Sequence, residues 1–485
     1  MTTTATALQG LKPESLWKHF SALAAIPRAS TKEAAAREYV LGEAKRLGLE
    51  TIVDHVGNVV VRKPARPGRE KATPALLQGH LDMVCEKNEG TPHNFDTDPI
   101  KVVRNGDWIT ADGTTLGSDN GLGVAAALAI MESTDVAHGP LEFVFTIDEE
   151  TGLTGASEFK PGVLRSKFYF NLDNEETGTL CIGCAGGIAT KARRKVALKT
   201  PLQGEAYRIK VSGLKGGHSG VDIHLGRGNA LRILGSTLQA ASAKVQLELA
   251  DIKGGSAHNA IPREASAVVV IDPVREADLK ASVAQSASDF KTDLGEFDSG
   301  LQITVEKFER PARVIDYADA QKVIDLFACV PHGVLAMSPD VPGLVQDSTN
   351  FATASLKGDV VEIVTSQRSA IEGSKMIAAR LVATVCRLAG FDAEHSGSYP
   401  GWKPEPNSDI VTKLKSVYEE QFGQSPKLIA MHAGLECGVI GEKYPGMQLI
   451  SFGPQIEFPH SPAERAQISS VESFWKYLVA VLEKI

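Results

Sequence analysis

The stretch Ala75-Leu-Leu-Gln-Gly-His-Leu-Asp82 decides the fold. Its first four residues, apolar up to Gln78, form a short run of the kind that makes a buried strand. Gly79 closes the run, and His80 and Asp82 follow at once. The same arrangement returns twice. Leu141-Glu-Phe-Val-Phe-Thr-Ile147 leads into Asp148-Glu-Glu-Thr-Gly152, and Phe168-Tyr-Phe-Asn-Leu172 leads into Asp173. An apolar helix over 121–133, after a glycine-rich turn, and a shorter one over 155–159 lie between them. This alternation predicts an α/β domain with a mostly parallel sheet flanked by helices. Functional groups of such sheets gather beyond the carboxyl ends of the strands. Three strands here deliver carboxylates or a histidine to that end.

Outward from this block, 11–47 reads as helical, interrupted at Pro27. The character changes near Gly187. A strand over 206–211 precedes the glycine-rich Gly213-Leu-Lys-Gly-Gly-His-Ser-Gly220. A helix over 228–243, strands over 245–249 and 267–271, and a helix from Glu276 follow. A weak repeat is visible: helix, strand, Asn259, strand and Arg275 match helix 318–329, Asn350, strand 360–365 and Arg368. The pattern changes again at Pro400-Gly-Trp-Lys-Pro404. The tail, with helix 408–422, strand 427–430, a helix opening at His432, strand 448–452 and helix 471–484, resembles the first block. The expected organisation is a discontinuous catalytic domain, 1–186 and 400–485, carrying an inserted α+β lid domain, 187–399, built of two related halves.

Composition narrows the function. Among 485 residues, 43% are hydrophobic and 23% charged, the balance of a soluble globular chain. A net charge of -8 without a basic run argues against nucleic acid or an anionic membrane as partner. No segment approaches the ~18 apolar residues of a membrane span, and Met1–Gly10 lacks the features of a secretory signal. The six cysteines are sparse, and Cys181-x-x-Cys184 has no second pair to complete a zinc ribbon. A cytoplasmic location is expected.

Taken singly, the polar segments are ambiguous. His80-Leu-Asp82 suits a metal-bound imidazole oriented by a carboxylate, or a turn at the surface. Asp119, in Leu116-Gly-Ser-Asp-Asn-Gly-Leu-Gly123, reads equally as a helix N-cap; the absence of Lys and of a GKS or GKT ending disfavours a phosphate loop. Asp148-Glu-Glu150 is electrostatically costly without cations nearby, unless it is a solvated turn. His432 and Glu436, four apart on an expected helix, would share one face. Together, the histidines and carboxylates form a nitrogen and oxygen donor set suited to zinc, cobalt or manganese. No G-x-G-x-x-G follows the first strand, so a dinucleotide site is disfavoured.

The segments Gly79-His-Leu-Asp-Met-Val84, Gly117-Ser-Asp-Asn-Gly121, Asp148-Glu-Glu-Thr-Gly152, Asn171-Leu-Asp173 and Phe458-Pro-His-Ser461 resemble the M20 metallopeptidase family. Within it they are most similar to the cytosolic aminoacyl-histidine dipeptidase branch. Ile26-Pro-Arg-Ala-Ser30, Gly216-Gly-His-Ser-Gly220, Ser256-Ala-His-Asn-Ala-Ile-Pro262 and His432-Ala-Gly-Leu-Glu-Cys437 agree with it. The resemblance implies two divalent metal ions, zinc foremost, with cobalt or manganese compatible. Asp119 bridges them, followed by a cis peptide bond; His80 and Asp173 complete one site, Glu150 and His460 the other. Asp82 orients His80, and Glu149 is the general base. In the lid, His218 stabilises the oxyanion and Asn259 binds substrate. Arg368 takes the substrate α-carboxylate, a role that a guanidinium fills bidentately, and His432 lines the pocket. The implied reaction is hydrolysis of dipeptides, Xaa-His among them, by a homodimer. An amidase acting on N-acyl amino acids at the same metal centre is the alternative. If the lid is a duplication, its second half would stand in for a partner subunit.

Overall fold

The computed structural model describes residues 4–485, and the chain divides into two compact units. One comprises the chain up to Cys184, Trp402–Ala430 and Leu435–Ile485; the other comprises Ala185–Gly401 and Met431–Gly434.

In chain order, the first unit contributes helices α1 (Glu14–Ala24) and α2 (Ala34–Arg46), then strands β1 (Glu50–Val53), β2 (Val59–Lys63) and β3 (Ala75–His80). Helix α3 (Ser118–Glu132), β4 (Leu141–Thr146), the short α4 (Thr154–Glu158), β5 (Phe168–Asn171) and β6 (Thr179–Cys184) follow. The second unit supplies β7 (Gly186–Lys195), β8 (Glu205–Ser212), α5 (Ala230–Ser242), β9 (Glu248–Gly254), β10 (Ala265–Ile271), α6 (Glu276–Leu294) and β11 (Gln302–Phe308). It continues with α7 (Tyr317–Cys329), β12 (Val345–Lys357), β13 (Val360–Ser369), α8 (Glu372–Leu388) and β14 (Asp392–Tyr399). The chain closes with α9 (Asp409–Phe422), β15 (Lys427–Met431), α10 (Glu436–Glu442), β16 (Gln448–Ser451) and α11 (Ile468–Lys484).

The first unit is built on an eight-stranded sheet ordered β1-β2-β4-β3-β5-β16-β6-β15. The fold class is the α/β one read from the sequence, with parallel pairing concentrated where the apolar runs are strongest. β4, β3, β5 and β16 run parallel, while β1 with β2, β2 with β4, and β16 with β6 are antiparallel. Leu76, Leu77, Phe143, Phe145, Tyr169 and Phe170 are wholly buried along these central strands. Covering both faces of parallel strands leaves no polar side, so they read as continuous apolar runs rather than alternating ones.

The second unit carries an all-antiparallel sheet ordered β11-β8-β10-β9-β12-β13-β7-β14. It is two copies of one motif. β8-α5-β9-β10-α6-β11 forms one half, and β7-α7-β12-β13-α8-β14 the other. Each is a β-α-β-β-α-β unit with its fourth strand beside its first and its third beside its second. The halves meet through their equivalent second strands, β9 and β12, which pair antiparallel at Lys253–Ser355 and Gly254–Ala354. The first half is inserted between β7 and α7 of the second. One core of Tyr207, Leu234, Leu238, Phe327, Phe351 and Phe391 serves both.

The repeat is therefore present, but two of its proposed matches are not. Asn259 lies in a turn between β9 and β10, whereas Asn350 lies inside β12; Arg275 follows β10, whereas Arg368 lies inside β13. Spacing between polar landmarks misjudged the register because β12 and β13 are longer than their counterparts. The helix expected to open at His432 opens instead at Glu436. His432 lies before it, in the four residues that pack with the second unit, so His432 and Glu436 share no helix face.

Candidate metal and substrate site

At the carboxyl ends of β3, β4 and β5 the first unit gathers the acidic and histidine residues. Asp119 is the centre. Its Oδ1 lies 3.1 Å from His80 Nε2, and its Oδ2 lies 3.1 Å from His460 Nε2. Asp173 Oδ1 lies 3.3 Å from His80 Nε2, and Glu150 Oε2 lies 3.0 Å from His460 Nε2. The five residues thus divide into two sets of three donors sharing one carboxylate. Donors bound tetrahedrally to a zinc at ~2.0–2.1 Å stand about 3.3–3.4 Å apart, close to these separations. Glu150 Oε1 is buried with no hydrogen-bond partner among the described residues, and a buried carboxylate oxygen without a donor calls for a cation. The residues fit a divalent metal.

The field around them says the same. Burial, together with Asp119 and Glu150, pushes the Asp173 carboxyl up to about 7 despite His80. Glu175 is half-buried, and desolvation together with the charges of Asp119 and Asp173 pushes it up to about 9. Hydrogen bonding to Asp119 and Glu150 raises the His460 imidazole to about 11. So many acids in one buried place are stabilised by positive charge.

The loops are built to aim these groups. Asp119 and Asn120 lie outside helical geometry at the start of α3, and the peptide bond between them is cis, as the resemblance implies. Asp148 adopts φ +48°, and the Thr151 and Thr154 hydroxyls each donate to its carboxylate at 2.5 Å. Asp82 does three things at once. Its Oδ1 lies 3.3 Å from His80 Nδ1. It accepts the backbone N–H groups of Glu149 (3.0 Å) and Glu150 (3.1 Å), and the Ser30 hydroxyl at 2.8 Å. Burial opposes its ionisation, but these donors and His80 hold its carboxyl well below the usual range. Asp82→Asn is expected to weaken metal binding about 10–100-fold, measured by competition with a chromogenic chelator, because the imidazole and the Glu149–Glu150 backbone lose one common anchor.

Glu149 is partly buried beside this set. Burial and the carboxylates of Asp173, Glu436 and Glu150 raise its proton affinity well above normal, although His80 opposes them. Glu436 lies at the start of α10, where Gln78 and Thr146 donate to its Oε2, and burial pushes it up to about 8. From sequence, Glu436 was expected only to line the pocket with His432 or to form a helix-surface pair with it, and Glu175 gave no signal. Cys181 and Cys184 are both buried on β6, and burial pushes the Cys184 thiol up to about 11, so it stays protonated.

The second unit brings its own group together. His218 lies on a two-residue strand paired with Ala260–Ile261. Its Nδ1 accepts from the backbone N–H of Gly220 (3.3 Å) and Val221 (3.1 Å). That assigns the ring proton to Nε2, which becomes a donor. Burial and the positive charge of Arg368 lower the ring's proton affinity, so the neutral form is favoured. Arg368 on β13 is 6% exposed. Its Nη1 donates to the Tyr399 hydroxyl at 2.8 Å, its Nε has no partner, and it pairs with no carboxylate among the described residues. His432 is buried, lies 2.6 Å from the Ser348 hydroxyl through Nε2, and is pushed down to about 3 by burial and Arg368. The Asn259 side chain is exposed, on a turn whose backbone carbonyl at Ala260 accepts from Asn350 Nδ2 at 2.8 Å.

Comparison with known proteins defines the class. Residues 76–484 match Peptidase family M20/M25/M40, and the chain belongs to this family of metallopeptidases. Over 479 residues it is 37% identical to the cytosol non-specific dipeptidase of Escherichia coli K12, covering 99% of both chains. The crystal structure of aminoacylhistidine dipeptidase from Vibrio alginolyticus is similar across 99% of this chain and 98% of that one, at 39% identity and a TM-score of 0.91. An aminopeptidase structure from Bacillus cereus shares the fold at 17% identity and a TM-score of 0.55.

Proposed function

We propose that this chain is a two-metal dipeptidase, with zinc as the first candidate for both sites and cobalt or manganese able to occupy the same donors. The observation that carries this reading is the division of Asp119: each of its oxygens faces a different histidine, and each histidine faces its own second carboxylate. Bound there, a divalent ion would supply a Lewis acid and lower the pKa of a coordinated water from ~15.7 towards ~7.

The remaining chemistry belongs to the protein. Glu149 takes the proton of the attacking water and passes it to the leaving amine. The raised proton affinity of its carboxyl suits a group that must both accept and hold a proton. His218 donates through Nε2 to the developing oxyanion. Arg368 receives the substrate α-carboxylate: a buried guanidinium with no acidic partner calls for an anion, and a planar fork binds carboxylate bidentately. Asn259 and His432 contribute to substrate binding beside it. The segment 187–399 acts as the lid, closing over the substrate. Its two halves support a single-chain arrangement in which one half replaces a partner's lid; the whole protein works as a homodimer in the cytoplasm. Among the described residues no helix is long and apolar enough to cross a membrane.

The test is a substrate panel: an Xaa-His dipeptide, a dipeptide without His, a tripeptide and an N-acetyl amino acid. Dipeptide hydrolysis alone is expected. Cleavage of the N-acetyl compound alone would move the chain to the amidase side of the family. Arg368→Ala is expected to raise KM for dipeptides by about 10–100-fold, the worth of a charge-assisted bidentate pair. A dipeptide with an amidated carboxyl terminus should lose much less. Equal losses on both would remove the α-carboxylate role.

A further inference from the structure

Glu464 lies four residues after His460 and is 2% exposed. A carboxylate so deeply buried normally pairs with a cation. This one makes no ion pair among the described residues and instead accepts five hydrogen bonds from the turn that carries Asp119. Its Oε2 receives the backbone N–H of Leu116 (2.7 Å) and Gly117 (3.0 Å). Its Oε1 receives the backbone N–H of Ser118 (2.8 Å), the Ser118 hydroxyl (2.5 Å) and, more loosely, the backbone N–H of Asp119 (3.4 Å).

The other side of the same turn is held by Arg28. Its Nη2 donates to Gly117 O, and its Nη1 donates to Leu81 O (3.0 Å) and Asp82 O (2.8 Å) in the His80 loop. Gly117 is required there: its φ is +69°, and a Cβ would lie 2.6 Å from Arg28 Nη2. Arg28 thus ties the Asp119 turn to the His80 loop, and Glu464 ties it to the His460 loop.

We infer that Glu464 is a positioning residue that fixes Asp119 relative to His460 and so sets the affinity of the Asp119–Glu150–His460 metal site. The inference rests on the two-metal reading above. That site depends on Glu464 through two of its three ligands, the His80 site through Asp119 alone. Loss of Glu464 therefore weakens one site more than the other.

Glu464→Gln tests this with little change in shape, because its amide NH2 must face N–H donors. Ser118→Ala removes a single contact and keeps the fold. Metal-free protein would be titrated with zinc against a chromogenic chelator, following two successive equivalents, with thermal unfolding measured alongside. The expected result for Glu464→Gln is a first equivalent within about threefold of the unsubstituted chain and a second weakened about 10–100-fold, the range for partners that orient metal ligands. Ser118→Ala should shift the second equivalent in the same direction, by less. Two equivalents bound as tightly as before in both variants, or equal weakening of both equivalents, would overturn the inference. An unsubstituted chain that takes up fewer than two equivalents would instead sink the two-metal reading, and this inference with it.

Discussion

Glu149→Gln is expected to keep both metal ions and to lose turnover by about 10²–10⁴-fold, the contribution of a positioned general base. The two properties separate because Glu149 and Glu150 are neighbours with different surroundings. Glu150 Oε2 faces His460 at 3.0 Å, whereas among the described residues no histidine lies within ion-pair distance of Glu149. The backbone N–H groups of both residues end on Asp82, so an isosteric amide at Glu149 leaves the loop in place. Metal content is read by elemental analysis and turnover by amine release. Loss of a metal equivalent would reassign Glu149 as a ligand.

Asp119→Ala is expected to do the opposite: to lose both metal ions and, with them, all measurable hydrolysis. Each half of the site would be left with one histidine and one carboxylate. A catalytic zinc needs about three protein ligands, so both halves fall short together. Asp173→Asn weakens only the His80 half, because Asp173 faces His80. Comparing metal stoichiometry in the two variants distinguishes a shared ligand from a private one. An Asp119→Ala protein that retained two tightly bound equivalents would contradict the bridging role.

The candidate donors His80, Asp119, Glu150 and Asp173 were legible because each follows an apolar strand or sits in a glycine-rich turn, and short-range pattern marks those places; His460, in Glu457-Phe-Pro-His-Ser461, carries no such mark. His80 ends β3, and Asp148 to Glu150 follow β4. The supporting residues were less legible. Glu464 carries no local signature beyond its distance from His460, and its partners lie some 350 residues earlier in the chain. Arg28 was quoted only as part of a motif; its three carbonyl partners appear only when the chain is folded. The nested halves of the second unit were seen as a repeat but with the wrong landmarks. Topology repeats there, whereas the positions of Asn and Arg along the strands do not. His432 was misread because four-residue spacing is necessary for a shared helix face but does not show that a helix is there.

The most direct test of the central claim is a metal titration followed by activity. Protein stripped by a chelator would be dialysed, then supplied with zinc in steps while dipeptide hydrolysis and bound metal are both measured. A two-metal dipeptidase shows no hydrolysis in the stripped chain and full recovery as bound metal reaches two equivalents per chain. Undiminished hydrolysis after complete metal removal would contradict it.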